Sequence, residues 1–297
     1  MRYLRTPRDL IRWGASLFRA AGLSFGHGTD NAIDDAAQLV LHALHLPHSL
    51  PPIYLEGRLL PSEVAEAVAL LRRRVEERVP APYLTREAWF AGLDFYVDQR
   101  VLIPRSPIAE LVEQRFQPWF GERAPRRILD LCTGSGCIAI ACAWYLPDAQ
   151  VDATDLSAQA LEVARDNVRR HGLKERVEVI ESDLFQALAG RRYDLIVSNP
   201  PYVDEGEWGA LAPEFAHEPR VALAAGADGL DVVARILEQA PQYLEEDGLL
   251  IVEVGNAAAS LVRRFPELPV TWLEFERGGE GVFAIYADEL RGWGGGV

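Results

Sequence analysis

The hydrophobic period of the chain changes between Ala88 and Trp89. Before that point apolar positions recur every three or four residues. Leu10, Ile11, Trp13, Leu17 and Phe18 predict a helix over residues 9–21. Asp30 or Asn31 caps a second over 33–46, which Pro47 ends, and Ser62 opens a third over 62–79. After it, residues 89–97 and 101–103 predict a β-hairpin or two short strands, Pro104-Arg105-Ser106-Pro107 a turn, and 108–116 a helix. From Arg126 onward short β-branched runs alternate with helices, the pattern of a doubly wound α/β fold. Strands are expected at 127–131, 151–155, 177–180, 193–197 and 249–254, with helices from Gly136, over 157–171 and over 229–244. Residues 270–275 and 281–286 predict two last strands; the gap between them is too short for a crossover helix, so they should pair antiparallel. The expected organisation is a helical domain at 1–88, a hairpin linker at 89–104, an α/β domain at 105–290 and a flexible tail at 291–297.

Composition fits an ordinary globular protein, with 49% hydrophobic and 25% charged residues among 297. No apolar run reaches the roughly 18 residues of a membrane helix. The arginine-rich start contains Asp9 and no small-residue cleavage site, so it predicts a first helix rather than a transit peptide. The net charge of −14 is unevenly placed: residues 1–88 hold 11 basic and 10 acidic side chains, the rest 19 and 34. An acidic α/β half is ill suited to a phosphate backbone, so direct sequence-specific nucleic-acid binding is not expected; a basic protein partner fits better. Cys132, Cys137 and Cys142 match neither a zinc nor a disulfide spacing and predict reduced thiols in a cytoplasmic protein. Pro47 interrupts the repeat of His42, His45 and His48, and no metal site is expected.

Two stretches carry candidate chemistry. The strand ending in Ser198 is stopped by Asn199-Pro200-Pro201-Tyr202, because neither proline can donate to a sheet ladder. That places an amide, carbonyls freed from pairing and an aromatic ring at the carboxyl end of a strand, where open α/β sheets bind ligands. The second is Asp130-Leu131-Cys132-Thr133-Gly134-Ser135-Gly136, where the first α/β strand turns into its helix. Its glycines allow close backbone approach, and Gly134-x-Gly136-x-x-Ala139 loosely fits a dinucleotide fingerprint. However, Asp130 and Cys132 stand where that fingerprint has glycine, and a carboxylate would repel a pyrophosphate. It suits a sulfonium with an α-ammonium group instead. Asp155, ending the second strand, is placed for ribose hydroxyls, and Asp183, beside Leu184 after the third, for an adenine amino group. Together the strand-end aspartates favour S-adenosylmethionine over a nicotinamide cofactor.

This order of motifs resembles the class I methyltransferases that act on planar amino groups. Pro104-Arg105-Ser106-Pro107, Asn199-Pro200-Pro201-Tyr202 and His217-Glu218-Pro219 resemble the protein-glutamine N5-methyltransferases in particular. That family has one branch acting on release factors and one acting on large-subunit ribosomal protein L-three. Phe25-Gly26-His27-Gly28-Thr29-Asp30-Asn31, Cys132-Thr133-Gly134-Ser135-Gly136-Cys137 and Glu253-Val254-Gly255-Asn256 are similar to the second branch, over about residues 10–286. The resemblance implies a Rossmann-like, mostly parallel sheet with one antiparallel strand behind an N-terminal helical domain. It implies S-adenosylmethionine held by Asp130, Cys132, Thr133, Gly134, Ser135, Gly136, Asp155, Asp183, Leu184 and Asn199. The glutamine amide would be held by Asn199, Pro200, Pro201 and Tyr202, with Asn199, Pro200 and Tyr202 catalytic. The implied substrate is ribosomal protein L-three, free or in an assembling subunit. Release factors, and less so exocyclic amines of nucleic acids, are the alternatives.

Overall fold

A computed structural model describes residues 3–121 and 123–294. The chain forms two compact units, one from Met1–Ala88, Val97–Gln99 and Ala212–His217, the other from Trp89–Tyr96, Arg100–Leu211 and Glu218–Val297.

The first unit is helical. Helix α1 (Pro7–Ala20) starts at a reciprocal cap in which the Thr6 hydroxyl accepts from Asp9 N and Asp9 Oδ2 accepts from Thr6 N, both at 3.1 Å. Asn31 caps α2 (Ala32–Ala43), accepting from Ile33 N and Asp34 N. This helix stops before the expected Leu46, because His45 turns left-handed (φ 54°) and Leu46 N closes onto the Leu41 carbonyl at 2.9 Å. Helix α3 (Pro61–Glu77) begins at Pro61 without a Ser62 cap, since a first-turn proline has no donor to satisfy. Short α4 (Ala81–Thr85) follows. Leu10, Phe18, Leu39 and Leu71 form the fully buried centre. Beside it lies an ion cluster. Arg74, 1% exposed, donates to Asp35 and to the Ser24 carbonyl, each at 3.0 Å, and lies 3.7 Å from Glu214. Glu214 is 0% exposed, comes from the Ala212–His217 segment, and also pairs with Arg78 at 3.0 Å. Burial pushes the Asp35 carboxyl above its ordinary range, against the pull of Arg74.

The second unit is the α/β domain. Strand β1 (Glu87–Phe90), in which the unit boundary falls, pairs with β2 (Leu93–Tyr96) around Ala91 and Gly92, both at positive φ as a tight hairpin turn requires. Residues 101–103 do not form the second strand expected of them; Ile103 N instead donates to Glu218 at 3.2 Å. Then come α5 (Ile108–Glu113), β3 (Arg127–Leu131), α6 (Cys137–Tyr145), β4 (Gln150–Asp155), α7 (Ala158–Arg170), β5 (Val177–Glu181), β6 (Tyr193–Ser198), α8 (Glu205–Trp208), α9 (Asp231–Gln239), β7 (Leu244–Glu253), α10 (Ala258–Arg264), β8 (Thr271–Trp272), β9 (Val282–Tyr286) and α11 (Ala287–Trp293). The sheet order is β5-β4-β3-β6-β7-β9-β8; β9 alone runs against the others. Alternate strand residues feed two cores, Ile128, Val197 and Ile251 on one face and Leu129, Ile196 and Leu250 on the other.

Three expectations are corrected here. Helix α9 ends before Pro241, the sequence read as its last turn forms a 3-10 turn at Ala240–Gln242, and β7 starts already at Leu244, with a register shift between Tyr193 and Leu195. The expected strand at 270–275 shrinks to Thr271–Trp272. Arg291, Gly292 and Trp293, expected in a flexible tail, are the last turn of α11, where Arg291 donates to the Leu244 carbonyl at 2.9 Å. Gly294 caps that helix at φ 69°, and the rest of the predicted tail, 295–297, lies outside the described residues.

Removing Arg74 would leave Asp35 and Glu214 buried without their central cation. Arg74→Ala should therefore cost about 3–5 kcal/mol, measured by urea denaturation of the full chain.

Candidate active site

Parallel pairing brings five strand ends level. Leu131 faces both Thr154 and Ser198, Asp155 faces Glu181, and Ser198 faces Val252. The order of strands reverses between β3 and β6, the position at which such sheets bind ligands. The two sequence motifs therefore meet at one edge. A groove lined by Trp119, Tyr145, Arg192 and Tyr243 opens at the opposite edge and contains none of the motif residues.

On the β3 side the chain turns sharply, with Cys132, Gly134 and Gly136 at φ 60°, 54° and 81°. The two glycines serve different ends. A Cβ on Gly136 would fall 3.3 Å from Ala164, so this glycine lets α6 pack against α7. A Cβ on Gly134 would meet nothing within 4 Å, so that backbone faces open space. Thr133 N bonds the Thr154 carbonyl at 2.9 Å, and the Ser135 carbonyl accepts from Asn167 at 2.9 Å, so both residues fix the loop. Cys132 is half-buried, and burial raises its thiol above the ordinary range.

Asp130 is 0% exposed. Its Oδ2 accepts from the Thr133 hydroxyl at 2.5 Å and from Ala139 N at 3.0 Å, while Oδ1 has no partner among the described residues. Burial raises its pKa to about 7 despite those two bonds. Such a half-satisfied buried carboxylate would suit a cation, and the α-ammonium group of S-adenosylmethionine would supply one. The residues present fit that cofactor. Asp155 accepts from Ser157 N at 2.8 Å and Gly134 N at 2.9 Å, one bond per oxygen, which leaves lone pairs for two hydroxyls. Ser182 N bonds the Asp155 carbonyl at 3.0 Å and brings the 182–184 loop alongside. Asp183 is already engaged by Arg235 at 2.8 Å and Gln186 at 3.2 Å, and Leu184 is buried at φ 50°.

On the β6 side the Ser198 hydroxyl donates to the Leu131 carbonyl at 2.9 Å, tying the strand ends together. Asn199, Pro201 and Tyr202 are half-buried and Pro200 buried. The Tyr202 hydroxyl donates to Glu253 Oε1 at 3.0 Å, and its ring lies against Gly255, where a Cβ would fall 2.6 Å from it. A Cβ on Gly229 would collide with the Tyr202 carbonyl. Glu253 Oε2 accepts from the Ser106 hydroxyl at 2.5 Å, and Arg105 forks onto Glu218 at 2.6 and 2.8 Å. Ser106 thus braces the platform through Glu253, while Arg105 beside it ties its own stretch to Glu218. Sequence reasoning missed Glu253 and Ser106 as parts of it; the available signal was one carboxylate in the apolar run 249–254. Beside the platform, Asp204 caps α8 by accepting from Glu207 N at 2.8 Å, leaving Glu205 exposed.

The model of the methyltransferase small domain family matches residues 114–262. The chain is 56% identical over 288 residues to the ribosomal protein uL3 glutamine methyltransferase of Xanthomonas campestris pv. campestris, covering 97% of this chain and 93% of that one. It is 55% identical over 287 residues to the protein of that name from Xylella fastidiosa strain 9a5c, covering 97% and 92%. In fold it resembles the hMettl16 catalytic domain solved with MAT2A 3′UTR hairpin 1, at TM-score 0.53 and 22% identity over 84% of this chain and 89% of that one.

The Asp130 carboxyl is raised in the fold, so its contribution to stability is full near pH 4 and is lost as pH rises through about 7. A cation at Oδ1 relieves that loss. S-adenosylmethionine should therefore raise the melting temperature more at pH 8 than at pH 6, and Asp130→Asn should flatten the difference in a thermal-shift titration.

Proposed function

The chain belongs to the family of ribosomal protein uL3 glutamine methyltransferases, and on that premise we propose that it methylates a glutamine side-chain amide of uL3 at N5. The observation that carries the reading is the meeting, at one sheet edge, of a cation-seeking carboxylate at Asp130 with the Asn199–Tyr202 platform.

S-adenosylmethionine, when bound, supplies an electrophilic methyl group on a sulfonium. Asp130, Asp155 and the open backbone at Gly134 hold it, with Cys132, Thr133, Ser135 and Gly136 shaping the loop and Asp183, Leu184 and Asn199 completing the wall. The chain's own task is to present a poor nucleophile, because an amide nitrogen shares its lone pair with the carbonyl. Asn199 Oδ1 and the Pro200 carbonyl accept the two amide hydrogens and fix the nitrogen. The same acceptors stabilise the positive charge it gains, and the Tyr202 ring packs on the amide plane. Orientation of this kind can contribute roughly 7–11 kcal/mol. No base is needed beforehand, since the surplus proton is strongly acidic and leaves afterwards to water.

The helical unit at 1–88 serves recognition, and the acidic stretch Asp204, Glu205 and Glu207 draws in a basic protein by electrostatic steering. The substrate is met free or in an assembling large subunit. Among the described residues no helix is long and apolar enough to cross a membrane, and we place the reaction in the cytoplasm.

With labelled S-adenosylmethionine, uL3 should acquire label on one glutamine, located by mass spectrometry, while a release factor stays unlabelled. Asn199→Ala should abolish turnover and leave cofactor binding nearly intact. Label on the release factor would overturn the branch; label on RNA or DNA would overturn the substrate class. Neutralising Asp204, Glu205 and Glu207 together should raise KM for uL3 and weaken its salt dependence.

A further inference from the structure

The platform contains a buried group that the reaction does not itself require. Glu253 ends β7 on the same edge as Asn199 and is 5% exposed. Burial raises its carboxyl above the ordinary range, against the hydrogen bonds from Ser106 and Tyr202. An apolar residue would end β7 without the cost of burying a carboxylate. What the carboxylate adds is a direction. One oxygen receives the Tyr202 hydroxyl and the other the Ser106 hydroxyl, so neither oxygen is free to turn. Ser106 is held in turn, since its oxygen also accepts from Ile108 N at 3.2 Å. The phenol is therefore pinned at its far end, while Gly255 supports the ring.

We propose that Glu253 is a positioning residue for methyl transfer, acting on the substrate amide only through the Tyr202 ring. The inference rests on the reading of Asn199–Tyr202 as the amide platform. Two residues far apart in sequence, Ser106 and Glu253, set the angle at which that ring meets the amide. Arg105 and Glu218 complete the charged surroundings: Arg105 favours the ionised forms of both Glu253 and Tyr202, and Glu218 disfavours ionisation of Tyr202. Arg105 is itself committed to Glu218, so it neutralises the region without displacing either hydroxyl from Glu253.

The test uses the full chain with Tyr202→Phe, Glu253→Gln and the double variant. Each single change should lower kcat roughly 10- to 100-fold, the scale of a misplaced reactant, with KM for uL3 and the affinity for S-adenosylmethionine within about twofold of wild type. The double variant should be no worse than the poorer single one, because both act on the same anchor: Tyr202→Phe removes its donor, and Glu253→Gln leaves one oxygen where Tyr202 and Ser106 each had their own. Additive losses, or wild-type kcat in either single variant, would overturn the proposal. So would a Glu253→Gln chain that loses cofactor binding and melting temperature along with turnover, the mark of a purely structural group. Ser106→Ala loosens the carboxylate from its other side and should give a smaller kcat loss at unchanged melting temperature. A readout independent of the substrate is the ring-carbon resonance of Tyr202 in ¹³C-tyrosine-labelled protein, identified by its absence in Tyr202→Phe. It should move in Glu253→Gln, and an unmoved resonance refutes the anchor. If the wild-type chain fails on uL3 while that resonance moves, the substrate reading fails and the anchor stands.

Discussion

Hydrogen-bond register is the constraint on which this site depends. Parallel strands carry their side chains with a period of two, so a slip of one residue exchanges the faces of an entire strand. Here Leu131 opposite Thr154 and Ser198, and Ser198 opposite Val252, leave the next residue of each strand at a common edge. Everything placed there is placed by the backbone. Side-chain chemistry only finishes what the ladder begins.

The edge is divided at β6. To one side lie carboxylates that burial makes reluctant to ionise, Asp130 and Asp155. Their discomfort is useful, because a cationic ligand with hydroxyl groups relieves it. To the other side Glu253 has the same problem and an internal answer, two hydroxyls from Tyr202 and Ser106. One kind of group thus appears in two conditions, open to a ligand and closed by the fold. The bond from Ser198 to the Leu131 carbonyl fastens these halves at their seam.

What the sequence made legible was local. The β-branched runs of β3 to β6, the glycine turn after β3 and the double proline after β6 each act on near neighbours, and they lie where their patterns place them. The illegible features depend on distant residues. Glu253 is 51 residues from Tyr202 and 147 from Ser106, and no periodicity links positions so separated. Asp183 looked like a free acceptor because its partner Arg235 lies 52 residues further on. The start of β7 was hidden by its register shift, and the last turn of α11 by glycines that resemble a loose end. Glu214 was unreadable for the same reason, since its burial is decided by Arg74 and Arg78 in the helical unit.

That last residue has a consequence for the order of synthesis. Ribosomes deliver a chain from its amino end, and most domains can fold as they emerge. This helical unit cannot be finished that way, because its third piece, Ala212–His217, arrives only after β3 to β6 have been made. Until then Arg74 and Arg78 lack one carboxylate of their cluster. The part of the protein made first is therefore among the last to be completed.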